Sequence, residues 1–359
     1  MLNVRDRVVA LMAAWGYAPE SIGGITPVLD VFRVETTDGP KNLKWTRHSD
    51  AMLVFVTSAL RHQVQNGFTH LREPLPTRDG RPFLVHHGQH YLLSDWIEGQ
   101  QADLTRPEEL AASCRTLALF HQASRGYRAP AGADLRRRWG LLHRSLAKRC
   151  LELAQLPRQA ASRPTLTGFD REIWAETKYY LTLANFAREL LAVSDYGALA
   201  AKAARQGSLC HGDVAARNFI VTPAGDVFLI DFDGLSQDLP LVDLWKLYRR
   251  AMKAFSWDAE LGLKILEAYE TVYTLSPAEL EVLMALVSFP QKFWRLANRY
   301  YSGQYPGQEE RFCRKLRKYT AQRKGHAGFL RRLAELCRSR GVTGDWPAAP
   351  FLNRMGGSR

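Results

Sequence analysis

The chain has 359 residues, 46% of them hydrophobic and 24% charged, and its 49 lysines and arginines against 36 acidic residues give a net charge of +13. That length buries a core in two or three structural units, and no segment approaches the roughly 20 apolar residues that a membrane span needs. The five cysteines, at 114, 150, 210, 313 and 337, are scattered and form no CxxC pair, which argues for reduced thiols and against a zinc site.

At the N-terminus Arg5, Asp6 and Arg7 precede an apolar run, Val8 to Trp15. A signal peptide begins similarly, but no small-x-small cleavage site follows. The apolar positions suit a surface helix ending near Gly16, and that reading makes the product cytoplasmic. The first hundred residues then read as a small β-rich lobe. Val31–Thr36 and Asn42–Thr46 are strands joined by the turn Thr37-Asp38-Gly39-Pro40. Lys44 stands beside the apolar Leu43, either as an exposed strand lysine or as a cation for phosphates, and the motif downstream favours the second. The adjacent Gly23-Gly24 is a poor phosphate-covering loop and more often marks an ordinary turn.

Residues 49–66 read as a helix with Ser49 or Asp50 as N-cap and Gly67 after its end. No glutamate occurs between Glu35 and Glu73, so this helix offers Lys44 no glutamate partner, and Asp50 is its one acidic residue. Pro82–Val85 and His90–Ile97 are two further strands leading into Glu98-Gly99. They suit equally a plain edge strand or an interlobe hinge whose backbone, around Asp95 and Ile97, pairs with an adenine edge. From Pro107 onward the chain is mostly helical: about 106–124, 136–155 and 169–193, with a loop holding Pro157, Pro164 and Gly168 between the last two. His121 reads as a packed helix residue. Another helix begins near Leu239, where Asp243 caps or braces, and more follow to about Arg340. Residues 341–359 read as a loose tail.

The most informative stretch is Leu209-Cys210-His211-Gly212-Asp213-Val214-Ala215-Ala216-Arg217-Asn218, followed by Phe228-Leu229-Ile230-Asp231-Phe232-Asp233. Phosphoryl transfer from a nucleotide needs one carboxylate near the acceptor hydroxyl, and an amide and a second carboxylate on the metal ions that bridge the phosphates. Asp213, Asn218 and Asp231 fit those roles in order. Between them, Phe219–Val221 and Asp226–Ile230 are strand-like runs joined by Thr222-Pro223-Ala224-Gly225, so a hairpin holds the polar groups at neighbouring strand ends. A hairpin with incidental acidic residues at its turns would not be expected to repeat this spacing.

The charge excess is clustered, around Arg136–Arg138 with Arg144, Lys148 and Arg149, and again from Arg311 to Arg332. Such clusters attract polyanions, but Phe312, Leu316, Tyr319, Phe329, Leu330, Leu333 and Leu336 alternate with the second cluster as on a solvated helix face. No recognition-helix or aromatic-platform motif accompanies either cluster, so a specific nucleic-acid partner is not expected.

His211-Gly212-Asp213 through Asn218, Ile230–Asp233 and Asp243-Leu244 resemble the aminoglycoside phosphotransferase and choline kinase superfamily. Within it the chain is similar to CotS-type spore coat proteins, through Leu43-Lys44, Tyr91–Gly99, Leu117–Ser124, Phe289–Trp294 and Tyr300-Tyr301. The likeness spans about residues 5–335. It implies an α+β, two-lobed protein kinase-like fold: an N-lobe at 1–97, a mainly helical C-lobe at 98–340 and the tail at 341–359. It also implies Mg²⁺ and ATP as cofactors, with Asn218 and Asp231 on the metal, Lys44, Asp95 and Ile97 at the nucleotide, and catalytic roles for Asp213, Asn218 and Asp231. A mother-cell product assembled into the spore coat beside other coat proteins is implied too. Two functions follow: transfer of the ATP γ-phosphate to a hydroxyl, or a kinase-fold coat scaffold without turnover. Val214–Arg217 departs from the Leu-His-Pro-Gly common in phosphotransferases and sets Arg217 beside Asn218, to assist charge stabilisation or to fill space. Residues 125–200 are expected to hold the variable, substrate-selecting insertion.

Overall fold

The computed structural model describes residues 3–342 except 164 and 304–306, together with residues 344 and 346. The chain divides into two compact units, one of residues 1–103, 115–137 and 206–237 and one of residues 104–114, 138–205 and 238–359.

The first unit opens with helix α1 (Val4–Met12), capped by the Asn3 side chain on Asp6 N. A 3₁₀ turn over Ala13–Trp15 follows and stops at Gly16, whose backbone is left-handed. Strands β1 (Ile22–Val28), β2 (Val31–Thr36), β3 (Lys41–Thr46), β4 (Leu84–His86) and β5 (Gln89–Asp95) form an antiparallel sheet in the order β1-β2-β3-β5-β4. Gly23-Gly24 is therefore not a turn. It lies within β1, where the β1–β2 register shifts between Ile22 and Ile25, a bulge that glycine admits readily. Leu43 and Leu93 pair across β3–β5 and are buried with Val34, Leu11 and Met12. Strand alternation turns the next residue, Lys44, to the other face. Helix α2 (Asp50–Gln65) starts where Ser49 accepts a hydrogen bond from Met52 N, and Gly67 beyond its end is left-handed.

Strand β6 (Gln100–Gln101) and residues 115–123 of helix α3 (Pro107–Ala123) complete the N-terminal part of this unit. Its remaining strands are β7 (Leu209–Cys210), β8 (Phe219–Val221), β9 (Val227–Leu229) and β10 (Ser236–Gln237). They pair as β10-β7 and as β6-β8-β9, the latter with the expected hairpin turn.

The second unit is helical: α4 (Leu141–Ala161), α5 (Gly168–Val193), α6 (Tyr196–Gln206), α7 (Pro240–Ala251), α8 (Ala259–Glu270), α9 (Pro277–Ser288), α10 (Gln291–Tyr301), α11 (Glu309–Thr320) and α12 (Arg323–Ser339). Capping boxes Thr167/Asp170 and Ser276/Glu279 start α5 and α9. Every residue from Val282 to Ser288 is buried in α9, which packs against α5, α7 and α12.

Two expected helix boundaries move. The helix expected from Arg136 starts at Leu141, because Arg136 and Arg137 are extended: Arg136 O accepts from Gln237 N, and Arg137 bridges Gln237. Pro157, expected in a loop, lies inside α4. Of the expected tail, only Gly341, Val342, Gly344 and Trp346 are described, and the Trp346 indole donates to Glu281 at 2.9 Å. No helix among the described residues is long and apolar enough to cross a membrane. All five cysteines are buried and none is in a disulfide.

Asp238 gives the fold a pH dependence. It is 5% exposed, and burial pushes its carboxyl up to about 6, against the Leu239 N–H and Lys246, which favour the charged form. A carboxyl whose folded pKa exceeds its unfolded value of roughly 3.9 binds protons more tightly when folded. Stability therefore falls as pH rises from about 4 through 6, by on the order of 2 kcal/mol. Asp238→Asn, which keeps an acceptor for Leu239, should melt higher than wild type at pH 8 and flatten that slope. Parallel thermal melts from pH 4 to 8 check this; unchanged slopes would refute it.

Candidate functional site

The site is built wholly within the first unit, where the β7–β10 pair brings together two loops that leave neighbouring strand ends. His211 follows β7, fully buried, with its Nε2 2.9 Å from Ile230 O and its ring 4.8 Å from that of Phe232. Gly212 comes next, with φ 86°, pressed against the carbonyl of Gly234. Val214 is buried completely, which anchors the loop between Asp213 and the 3₁₀ turn Ala216–Asn218. The Asn218 carbonyl accepts from Ile230 N at 3.0 Å, so Asn218 and Asp231 stand at adjoining strand ends. Asp231 is itself left-handed, φ 62°, a conformation that L-residues other than Asn and Asp adopt rarely. A 3₁₀ turn over Phe232–Gly234 follows at once.

Two polar groups result. In one, Lys44 Nζ donates to Asp231 Oδ1 at 2.7 Å and to Asp233 Oδ1 at 2.8 Å. Burial alone would lower the Lys44 pKa, but the carboxylates of Asp233 and Asp231 outweigh it and hold the pKa above the usual lysine value. The ammonium is thus charged at neutral pH. His48 Nε2 lies 3.4 Å from Asp233, and the Arg136 guanidinium donates to the Asp233 carbonyl. In the other, Asn218 Nδ2 donates to the Asp213 carbonyl at 2.7 Å and to its Oδ2 at 3.2 Å, and Arg217 donates to the same Oδ2. Asn218 Oδ1 remains as an oxygen for a cation.

The structure thus places Lys44, Asp213, Asn218 and Asp231 in these two linked groups. Asp95 and Ile97 stand apart, beyond Leu92, the residue on β5 that pairs with Lys44. The Asp95 carboxylate takes a hydrogen bond from Lys41 at 2.6 Å, and Trp96 N donates to the Pro40 carbonyl. Gly99 lies so close to β8 that a Cβ would meet Val221 O at 2.4 Å. Asp50, the one acidic residue of the helix, faces His90 at 2.6 Å, and Lys44 is paired from the Asp231 loop. Sequence reading gave Asp233, His48 and Arg136 no role. Asp233 was signalled by its place two residues after Asp231, since a tight turn returns its carboxylate to the same cation.

A cation, three carboxylates and an amide on fixed backbone can hold oxyanions and hard metal ions, and one carboxylate can take a proton. Residues 29–286 match the phosphotransferase enzyme family (APH), and the chain belongs to this family. It is 26% identical over 308 residues to Spore coat protein S of Bacillus subtilis strain 168, covering 85% of this chain and 87% of that protein. Among solved structures it is similar to the aminoglycoside phosphotransferase from Alicyclobacillus acidocaldarius, with a TM-score of 0.82 at 23% identity over 92% of this chain and 96% of that one. It is also similar to spectinomycin phosphotransferase in complex with ADP and spectinomycin, with a TM-score of 0.54 at 11% identity over 88% and 93% of the two chains. These likenesses show the kinase-like fold: a small antiparallel sheet at the N-terminal end and a mainly helical remainder.

Proposed function

We propose that this chain transfers the γ-phosphoryl group of ATP to a hydroxyl acceptor. The observation that carries the reading is the pairing of Lys44 with Asp231 beside the Asp213–Asn218 group. The acceptor oxygen bonds to the γ-phosphorus as the bond to the β–γ bridging oxygen breaks, Asp213 takes the hydroxyl proton, and ADP leaves. Lys44 supplies a fixed positive charge for the phosphates, and the backbone around Asp95 and Ile97 pairs with the adenine edge. The hard oxygens of Asp231 and Asn218 suit Mg²⁺. Bound there, the ion neutralises phosphate charge. Fixed groups of this kind, positioned before reaction, carry most of phosphoryl-transfer catalysis.

The spore coat, after synthesis in the cytoplasm, is the location this reading assigns, with other coat proteins as partners. The support is the likeness to Spore coat protein S. A second reading, a coat scaffold without turnover, draws on Arg217, which occupies the Asp213 oxygen that would receive a proton. Thermal shift separates the two. A ligand at about 100 times its dissociation constant stabilises the native state by ~2.7 kcal/mol, so Mg-ATP should raise the wild-type midpoint by several degrees. Asp231→Ala should lose the magnesium-dependent part of that shift. No shift in wild type at millimolar Mg-ATP would overturn the kinase reading and leave the scaffold.

A further inference from the structure

A cavity of about 620 Å³ in the helical unit contains no carboxylate among its described lining residues. Its cations come from three separate parts of the chain. Arg249, Arg250 and Lys253 project from the end of α7 and the residues after it, and Lys292, Arg295 and Arg299 recur at helical spacing along α10. Arg311, Lys315 and Lys318 repeat that spacing on α11. The walls beneath are aromatic. Trp245 and Trp257 are 7% and 6% exposed, and the Arg249 guanidinium lies over the Trp245 ring at 5.6 Å.

Overall basicity does not account for this. Outside the cavity, arginines of α11 and α12 are matched: Arg317 with Glu172 at 2.6 Å, Arg323 with Glu176 at 2.9 Å and Arg332 with Glu260 at 3.2 Å. Inside the cavity the cations lie close to one another, with no carboxylate among the described lining residues. Arg249 Nε is buried without a hydrogen-bond acceptor. Burial first, and then Arg295 and Arg250, push the Arg249 guanidinium down to about 10. Lys292 and Arg295 are lowered in the same way, by burial and then by neighbouring cations. Like charges crowded together and half withdrawn from water destabilise a fold, and an anion seated among them removes that cost.

We infer that this cavity is a binding site for a compact polyanion, a small molecule carrying several phosphate groups. Its volume falls within the roughly 300–1,000 Å³ of small-molecule sites, too small for a nucleic-acid duplex. Its charge disfavours a cationic occupant. Planar guanidinium groups bind phosphate oxygens in pairs, and the tryptophan floor accommodates the ligand's carbon skeleton. The site shares no residue with the Lys44–Asp231 group and does not depend on it.

The test is calorimetric titration of inorganic tripolyphosphate without magnesium, at 150 mM salt, into the full chain. Wild type and Lys44→Met should bind it alike. The Arg249→Gln/Arg295→Gln double variant should bind at least tenfold more weakly, and Arg317→Gln/Arg332→Gln, outside the cavity, should bind as wild type does. Removing mutually repelling cations should leave the cavity variant folded. Lys292→Gln alone, weakening binding more than any single change outside the cavity, serves if the double variant does not fold. The inference is overturned if binding is lost in Lys44→Met and kept in the cavity variant, or if the pair outside the cavity weakens binding as much as the cavity pair. No heat in wild type at millimolar tripolyphosphate, or tighter binding of a short DNA duplex, would overturn it as well.

Discussion

Asp213→Asn should lower phosphoryl transfer by about 10²–10⁴-fold, the contribution typical of a positioned general base, while leaving Mg-ATP binding intact. The substitution is nearly isosteric. Its Oδ1 can still accept from Arg217 and Asn218, which hold the wild-type carboxylate, so the loop should keep its course. What it loses is the capacity to take up the acceptor's proton. Transfer of label from γ-labelled ATP to a panel of alcohols, with thermal shift as the binding control, separates chemistry from affinity. Undiminished turnover in this variant would remove Asp213 from the role of base. A loss of the ATP shift along with turnover would instead make it part of the nucleotide site.

Gly212→Ala should be among the most damaging single methyl additions in the first unit. The backbone there is left-handed, φ +86°, and a Cβ would stand 2.0 Å from the carbonyl oxygen of Gly234 and 2.7 Å from its carbon. Neither is a flexible side-chain end that can swing aside. A left-handed alanine costs roughly 1–2 kcal/mol by itself, and relieving the clash requires the 211–213 and 231–234 segments to part. A total of on the order of 3 kcal/mol should lower the melting midpoint by at least ~5 °C. It should also lower activity more than stability alone explains, because those two segments carry Asp213 and Asp231. A variant melting within a degree of wild type would show that the two loops tolerate separation.

The elements legible in the sequence are those whose signals are local. The turn at Thr37–Pro40, the Ser49 cap and the Thr222–Gly225 hairpin are each written within a few residues, and the strands and helix they delimit form where expected. The same holds for Asn218 and Asp231, which the hairpin alone brings to adjoining ends. What was not legible depends on distant partners. Gly23-Gly24 reads as an ordinary turn, yet pairing with β2 makes a strand of it. Arg136 looks like the start of a helix, but pairing with Gln237 and the Asp233 carbonyl hold it extended. The salt bridges of Lys44 join residues 187 and 189 positions apart, beyond any local pattern. The cavity's charge is hidden for a related reason. Along α11, Arg317 faces a glutamate and Lys315 faces other cations, and nothing in their spacing separates the two environments.

The burial of all five thiols has a practical consequence for watching this protein breathe. Burial pushes Cys150 and Cys313 up to about 11 and Cys337 up to about 12. The reactive thiolate is therefore scarce while the structure stays closed. An alkylating reagent reaches these positions only through momentary opening, so the labelling rate at each measures how often its surroundings come apart. Cys210, beside the His211–Asn218 loop, and Cys337, in α12, act as native clocks for the two units, with no engineered probe required.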